Sequence, residues 1–317
     1  MKIVNIDGVC TNPGDLSWEP FKKYGDFTVY DRTDPDQIYD RIKDADIIMI
    51  NKTVITNEML DRLPKLQYVA LQSTGVNVID TKEARKRGIT VTNIPAYSTN
   101  EVAQMVFAYI LHLTNKVAMH DDAVHNGEWC SCPDFCFWNA PLEELNGKTI
   151  GIIGFGSIGK RVAKIADAFG MKIIVNTPHI PLEEYDNISF VSFDELMKNS
   201  DIVTCHCPLN DKTEKLINSD SISMMKRTAI LINTSRGPVV DEQALADALN
   251  NNRIKAACVD VLSVEPPSED NPLLHAKNCV ITPHISWAAV ETRARLLEIL
   301  EANLKAYLEG NPHNVVN

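Results

Sequence analysis

Two stretches of this chain carry one pattern: short apolar runs alternate with polar segments whose apolar residues recur at helical spacing. In residues 1 to about 95, the runs Lys2–Ile6, Phe27–Tyr30, Asp46–Ile50, Leu66–Leu71 and Thr90–Asn93 predict strands. Asp36–Lys43, Asn57–Leu63 and Val78–Arg87 lie between them and predict helices. From Lys148 to about Thr282 the pattern returns, with strands predicted at Thr149–Gly154, Met171–Val175, Asp201–Cys205, Ala229–Asn233, Ala256–Val259 and Cys279–Ile281. Such alternation predicts an α/β fold built on parallel sheets that are doubly wound, with helices on both faces.

Between the two blocks, Ser98 to about Asn126 predicts one long helix. Thr99 or Asn100 caps its start, Glu101 places an acid in its first turn, and Val102, Val106, Ile110 and Leu113 recur along it. Asn126-Gly127 is the expected stop. Glu128 to Leu145 is irregular and broken by Pro133 and Pro141. Its Trp129, Phe135, Phe137 and Trp138 predict packing, against either the same domain or a second subunit. The last predicted helix, Ala289 to about Glu309, sets Leu296, Leu300, Leu304 and Leu308 on one face and stops at Gly310. It is a candidate to return the chain to the first block, which would make that domain discontinuous.

The 317 residues suffice for two domains of ordinary size. A formal net charge of -11, with no Lys/Arg-rich run to offset it, argues against a nucleic-acid partner. No segment reaches the roughly 18 to 20 apolar residues of a membrane span. The start, MKIVNIDGVC, reads as a first strand rather than a leader, so no membrane partner is expected and the cytoplasm is the expected compartment. The eight cysteines include a cluster at Cys130, Cys132 and Cys136 and a close pair at Cys205 and Cys207. Neither has the repeated C-x-x-C spacing of a zinc site, so no metal is expected and the thiols read as small apolar side chains.

Candidate chemistry begins at GFGSIG, Gly154 to Gly159. A bare G-x-G-x-x-G is weak evidence, but here an apolar strand precedes it and Lys160–Phe169 reads as a helix. In that frame Gly154 permits a tight turn, Gly156 lets the backbone approach a pyrophosphate, and Gly159 lets helix and sheet pack closely. The acid expected about 20 residues on, for the adenosine ribose, is missing. Asn176 and Thr177 stand at the end of the second strand, with His179 as the nearest base and Glu183 and Glu184 beyond. NAD is the expected cofactor, with NADP also admitted.

Three downstream segments complete the pattern: Arg236 in NTSRGP, Glu265 in VEPP and His284 in TPHISW. An arginine clamps a carboxylate through a two-pronged hydrogen bond. A histidine held by a carboxylate exchanges a proton near neutral pH. Taken singly, each has an ordinary alternative, a surface ion pair or a satisfied structural group. What joins them is position, since each lies at or just past a predicted strand end of one nucleotide-binding sheet. With a nicotinamide cofactor, the set meets the needs of reversible oxidation of a 2-hydroxy acid.

The segments STGVNVID (Ser73–Asp80), NIPAYSTNEVAQ (Asn93–Gln104), GIIGFGSIGKRVA (Gly151–Ala163), HCPLNDKTEKLIN (His206–Asn218), NTSRGPVVDEQAL (Asn233–Leu245), DVLSVEPP (Asp260–Pro267) and TPHISWAA (Thr282–Ala289) run through nearly the whole chain. On them the sequence resembles the D-isomer-specific 2-hydroxyacid dehydrogenases. Its HISW and DFCFWNAPLEEL segments are most similar to the glycerate dehydrogenase (hydroxypyruvate reductase) branch. The resemblance implies two Rossmann-like/flavodoxin-like domains with a cleft between them. Residues 1–99 plus 289–317 would form the substrate domain, and 100–288 the NAD(P)-binding domain.

The resemblance also assigns roles. Arg236 binds the substrate carboxylate and polarises the carbonyl, His284 is the acid in reduction and the base in reverse, and Glu265 holds His284. Ser73, Thr74, Gly75 and Val76 belong to the substrate site, the last three through their backbone. Cofactor contacts fall on Gly154, Phe155, Gly156, Ser157, Ile158, Gly159, Asn176, Thr177, His206, Cys207, Pro208, Thr234, Ser235, Arg236, Asp260 and His284, with Asp260 facing the nicotinamide carboxamide. A homodimer is implied. Hydroxypyruvate or glyoxylate is the leading substrate. Pyruvate, a bulkier 2-keto acid, or a dinucleotide-sensing role like that of related corepressors are the alternatives. Lys52 is a basic candidate for a phosphorylated substrate, which the short stretch after Leu308 disfavours.

Overall fold

The computed structural model describes residues 1–183 and 185–317, and it places every predicted strand in one of two parallel sheets. The chain divides into two units, Met1–Ser98 with Trp287–Asn317, and Thr99–Ser286.

The first unit holds β1 (Lys2–Asn5), β2 (Asp26–Val29), β3 (Ile47–Ile50), β4 (Tyr68–Leu71) and β5 (Thr90–Thr92), in the order β2-β1-β3-β4-β5. All four residues of β3 and of β4 are buried, so the sheet is covered on both faces, as parallel sheets are. The two-residue period of a strand sorts the side chains. Val4, Ile48, Ile50, Val69 and Leu71 pack with Ile38, Ile42, Leu60 and Ala84 on one face. Ile3, Ile47, Met49, Tyr68 and Ala70 pack with Phe21, Leu296, Leu300 and Leu304 on the other. Those three leucines are fully buried on the helix Val290–Leu308, and each burial is worth about 2 kcal/mol. Beyond that helix the tail is tied back to β5. Val91 N donates to Asn317 Oδ1 at 2.9 Å, and Val316 N donates to Val91 O at 2.9 Å.

The second unit holds β6 (Thr149–Ile153), β7 (Lys172–Asn176), β8 (Ile188–Phe190), β9 (Ile202–Cys205), β10 (Ile230–Asn233), β11 (Ala256–Val259) and β12 (Cys279–Ile281), in the order β12-β11-β10-β9-β6-β7-β8. Strand β8 is absent from the sequence expectation. It is three residues long, partly exposed and on the sheet edge, so it has no apolar run to announce it.

The expected long helix is two. Thr99–Asn115 ends at Lys116, whose φ of 51° is left-handed, and Val117–His125 follows. The reason is packing. Val102, Val106 and Ile110 are buried on the first helix, whereas Ala123 is the sole buried residue of the second. The helix expected over Val78–Arg87 starts later, at Thr81, because Asp80 caps it by accepting from Glu83 N at 3.0 Å.

In the segment after Gly127, Trp129, Phe135 and Trp138 are 51%, 88% and 67% exposed, while Phe137 is half-buried. No helix among the described residues is long and apolar enough to cross a membrane.

Candidate active site

In the second unit the sheet reverses direction beside β6. The chain passes from β6 to β7 and β8 on one side, then crosses to β9 on the other. Ligands of such sheets bind at the carboxyl ends of the strands at that reversal. Here the ends of β6 and β9 meet: His206 N donates to Ile153 O at 2.7 Å. A Cβ on Gly154 would stand 2.6 Å from His206 O, and Gly154 has a left-handed φ of 92°, so only glycine fits. A Cβ on Gly159 would lie 2.3 Å from Gly154 O, whereas one on Gly156 would meet nothing within 4 Å. Two of the glycines are therefore required by the protein's own packing. The third leaves open space at the N-cap of the helix Ser157–Ala168, where backbone N–H groups favour a phosphate.

Around this turn the expected contacts divide into side chains committed to the fold and side chains left over. Phe155 is buried and packs edge-on against Tyr185 and Phe190, at ring distances of 5.4 and 5.5 Å. Ile158 packs on the same apolar cluster, and Ser157 is exposed. Asn176 donates its amide to Val191 O at 3.0 Å. Thr177 Oγ1 lies 3.5 Å from His179 N, and Glu183 takes the Tyr185 hydroxyl at 2.8 Å. Glu184 lies outside the described residues.

At the end of β9, Cys207 is buried, which pushes its thiol up, and Pro208 O accepts from Thr213 Oγ1 at 2.6 Å. His206 Nε2 lies 2.9 Å from Thr204 Oγ1, and burial pushes the imidazole down to about 3, so it is neutral. Among the described residues its Nδ1 is buried without a partner, as are Thr234 Oγ1 and Ser286 Oγ. Buried polar atoms without partners are uncommon, since each costs desolvation energy. Three of them just beyond the ends of β9, β10 and β12, with the gap over Gly156, fit a bound dinucleotide.

The Arg236 turn is held by Asn233. Its Oδ1 accepts from Ser235 N at 3.0 Å and from Ser235 Oγ at 2.8 Å, and its Nδ2 donates to Arg236 O at 2.9 Å. Arg236 is exposed and its guanidinium donates to the neighbouring Ser235 O at 2.7 Å. Next to it, Gly237 lets the backbone of Leu262 pack in. A Cβ there would lie 2.0 Å from Leu262 C.

His284 Nδ1 meets Glu265 Oε2 at 2.6 Å, and Glu265 Oε1 accepts from Leu262 N at 3.1 Å. The histidine backbone has a left-handed φ of 54°, a state uncommon outside glycine. Asp260 holds it there. Asp260 O accepts from His284 N at 2.8 Å, and its carboxylate accepts from Ile285 N at 2.8 Å, Ser286 N at 2.9 Å and Thr282 Oγ1 at 2.5 Å. The hydroxyl of Tyr109, buried on the first helix of the unit, bonds to Thr282 Oγ1. Sequence reasoning pointed Asp260 at the nicotinamide and passed over Tyr109. Its one signal is a hydroxyl among the buried, mostly apolar residues of that helix.

Ser73 to Val76 belong to the first unit, just past β4. Both hydroxyls are turned onto the loop: Ser73 Oγ donates to Gly75 O and Thr74 Oγ1 to Ile94 O, at 2.8 and 2.7 Å. Among the described residues no hydrogen bond uses the N–H groups of Thr74, Gly75 and Val76. Successive backbone N–H groups can make anion-binding concavities, and these three are not committed to the fold. No group of three or more His, Cys, Asp or Glu among the described residues is arranged to hold a metal ion.

Residues 107–286 match the model of the D-isomer specific 2-hydroxyacid dehydrogenase NAD binding domain. Over the full length of both chains the sequence is 47% identical to a hydroxypyruvate reductase of Blautia hydrogenotrophica. It is 37% identical to a glycerate dehydrogenase of Methylorubrum extorquens, covering 89% of this chain and 88% of that one. A solved structure of an acyclic imino acid reductase in complex with NADPH and D-Arg is 34% identical, covers all of both chains and superposes with a TM-score of 0.85.

Proposed function

The chain belongs to the D-isomer specific 2-hydroxyacid dehydrogenase family, and from that premise we propose that it reduces hydroxypyruvate or glyoxylate to D-glycerate or glycolate. The observation that carries this reading is the 2.6 Å pair of His284 Nδ1 and Glu265 Oε2, in the segments that follow β12 and β11, with Arg236 just past β10 of the same sheet. Relatives named hydroxypyruvate reductase and glycerate dehydrogenase support the substrate class.

A bound nicotinamide supplies the hydride in reduction and accepts it in the reverse direction. Arg236 exchanges its bond to Ser235 O for the substrate carboxylate and draws charge toward the carbonyl. With Nδ1 fixed by Glu265, His284 holds its mobile proton on Nε2 and delivers it to the developing alkoxide. Glu265 stabilises the imidazolium before transfer. Acid–base help of this kind is worth roughly 100- to 10,000-fold. His206 Nδ1, Thr234 Oγ1 and Ser286 Oγ would hold and orient the dinucleotide. NAD is the proposed cofactor. The absence of an acid at Asn176 and Thr177 leaves NADP admitted, and the NADPH-bound neighbour supports that breadth.

The exposed Trp129, Phe135 and Trp138 support a homodimer, since aromatic side chains are characteristic of subunit contacts. Light scattering of the protein and of Phe135→Asp checks this, with a dimer for the first and a monomer for the second expected. Substrate is checked by following loss of NADH and NADPH with hydroxypyruvate, glyoxylate, pyruvate and 2-ketoisocaproate in parallel. Fast turnover of NADH with hydroxypyruvate or glyoxylate is expected; turnover confined to the other two acids would replace the substrate class.

A further inference from the structure

The carboxylate that holds His284 stands on an exposed loop. All eight residues from Ser263 to Asp270 are exposed, and Val264 is 65% exposed. Apolar packing therefore does not fix Glu265. Both ends of the loop are instead gripped by one side chain. Glu242 Oε1 accepts from Ser263 N at 2.6 Å, and Glu242 Oε2 accepts from Asn271 Nδ2 at 2.8 Å. The second contact has its own anchor. Asn271 is buried, and its Oδ1 caps the following turn by accepting from Leu273 N at 3.0 Å.

Glu242 itself is placed by a regular element. It is the first residue of the helix Glu242–Asn250, whose N-cap, Asp241, accepts from Ala244 N at 3.1 Å. The inner end of that helix is fixed by Leu245, Ala246 and Leu249, all buried in the apolar cluster. A carboxylate at the first position of a helix is ordinarily read as a partner for the helix dipole. Here both of its oxygens are spent on another segment, through charge-assisted bonds that are among the stronger kind.

We infer that Glu242 is a positioning residue for proton transfer: it clamps the Ser263–Asn271 loop so that Glu265 meets His284 Nδ1. This rests on the proposed role of the His284–Glu265 pair. Misplacement of a catalytic group by about 1 Å can cost roughly a hundredfold in rate. Glu242→Ala is therefore expected to lower kcat by roughly 10- to 100-fold, with NADH affinity and the KM for hydroxypyruvate within about twofold, because its contacts touch neither the glycine turn nor Arg236.

The test is a double-mutant cycle in kcat between Glu242→Ala and Glu265→Ala, with NADH affinity read separately by fluorescence. Residues that act through one another are non-additive. The expected result is that Glu242→Ala costs its full factor in the otherwise unchanged protein and little once Glu265 is gone. Equal losses in both backgrounds, or an unchanged kcat in Glu242→Ala, would overturn the inference while leaving the His284–Glu265 reading in place. An unchanged kcat in Glu265→Ala would overturn both. Should Glu242→Ala not fold, Glu242→Gln takes its place in the cycle. It keeps an acceptor for Ser263 N but sets an amide against Asn271, and a several-fold loss that vanishes without Glu265 is expected. No loss would count against the clamp.

Discussion

At the end of the first strand of one unit the chain reads Ile6-Asp7-Gly8; at the matching point of the other it reads Ile153-Gly154-Phe155. Both sheets reverse direction beside that strand, between β1 and β3 in the first unit and between β6 and β9 in the second. In the first, Asp7 fills the place. Its Oδ2 accepts from Asn51 N, Lys52 N and Thr53 N at 2.7, 3.0 and 3.0 Å, and its Oδ1 accepts from Thr53 Oγ1 at 2.5 Å. In the second, glycines clear the place, and buried polar atoms are left over around it. The topology offers one location twice. A residue just past the first strand, Asp7 in one unit and Gly154 in the other, separates a place filled by the protein's own carboxylate from one left open, an instance of function residing in the site rather than in the fold.

Gly154→Ala attacks the open site most severely. Its Cβ meets His206 O and its backbone must stay left-handed, so a loss of about 4 kcal/mol in stability is expected from overpacking and strain together, with NADH binding lost by titration. Asp7→Ala attacks the filled site. It strands buried N–H groups and should cost about 3 kcal/mol in urea denaturation, with NADH affinity unchanged. An equal fall in NADH affinity would break the separation drawn between the two sites.

A smaller change sharpens it. Thr177→Asp supplies the missing acid, and like-charge repulsion of the 2′-phosphate should move the ratio of NADH to NADPH dissociation constants roughly tenfold toward NADH. Another effect is in acid. His206 is neutral in the fold, with its ionisation pushed from the ordinary 6.5 down to about 3. The unfolded chain therefore takes up a proton first. The stability that neutral His206 contributes is whole above pH 6.5 and is lost as pH falls toward 3, at up to about 1.4 kcal/mol per pH unit. His206→Gln should flatten that slope in melts taken between pH 7 and 5; an unchanged slope would show that the ring is not shut away from protons.

What could be read beforehand was what local pattern writes. Strands such as Ile47–Ile50 are runs of buried aliphatics, and GFGSIG declares itself through glycines that packing demands. What could not be read was contact across long separations. Asp7 and Thr53 lie 46 residues apart, and Glu242 and Ser263 lie 21 apart; none of these carries a local signal. Asp260 was legible as an acid at a strand end, but its capture of the His284 segment depends on that segment's path. Lys116 ends a helix whose sequence continues to favour one, because burial stops there.

The split of the first unit has a bearing on synthesis. Strands β1 to β5 leave the ribosome early, yet the helix that covers Ile3, Ile47, Met49, Tyr68 and Ala70 follows only after the whole of the second unit. The contiguous unit can fold as it emerges. The other must wait with one apolar sheet face only partly covered, by Phe21 and its neighbours, until Val290–Leu308 arrives and the last residues strap onto β5. That interval is when a nascent chain of this design is most exposed to aggregation and most dependent on chaperones.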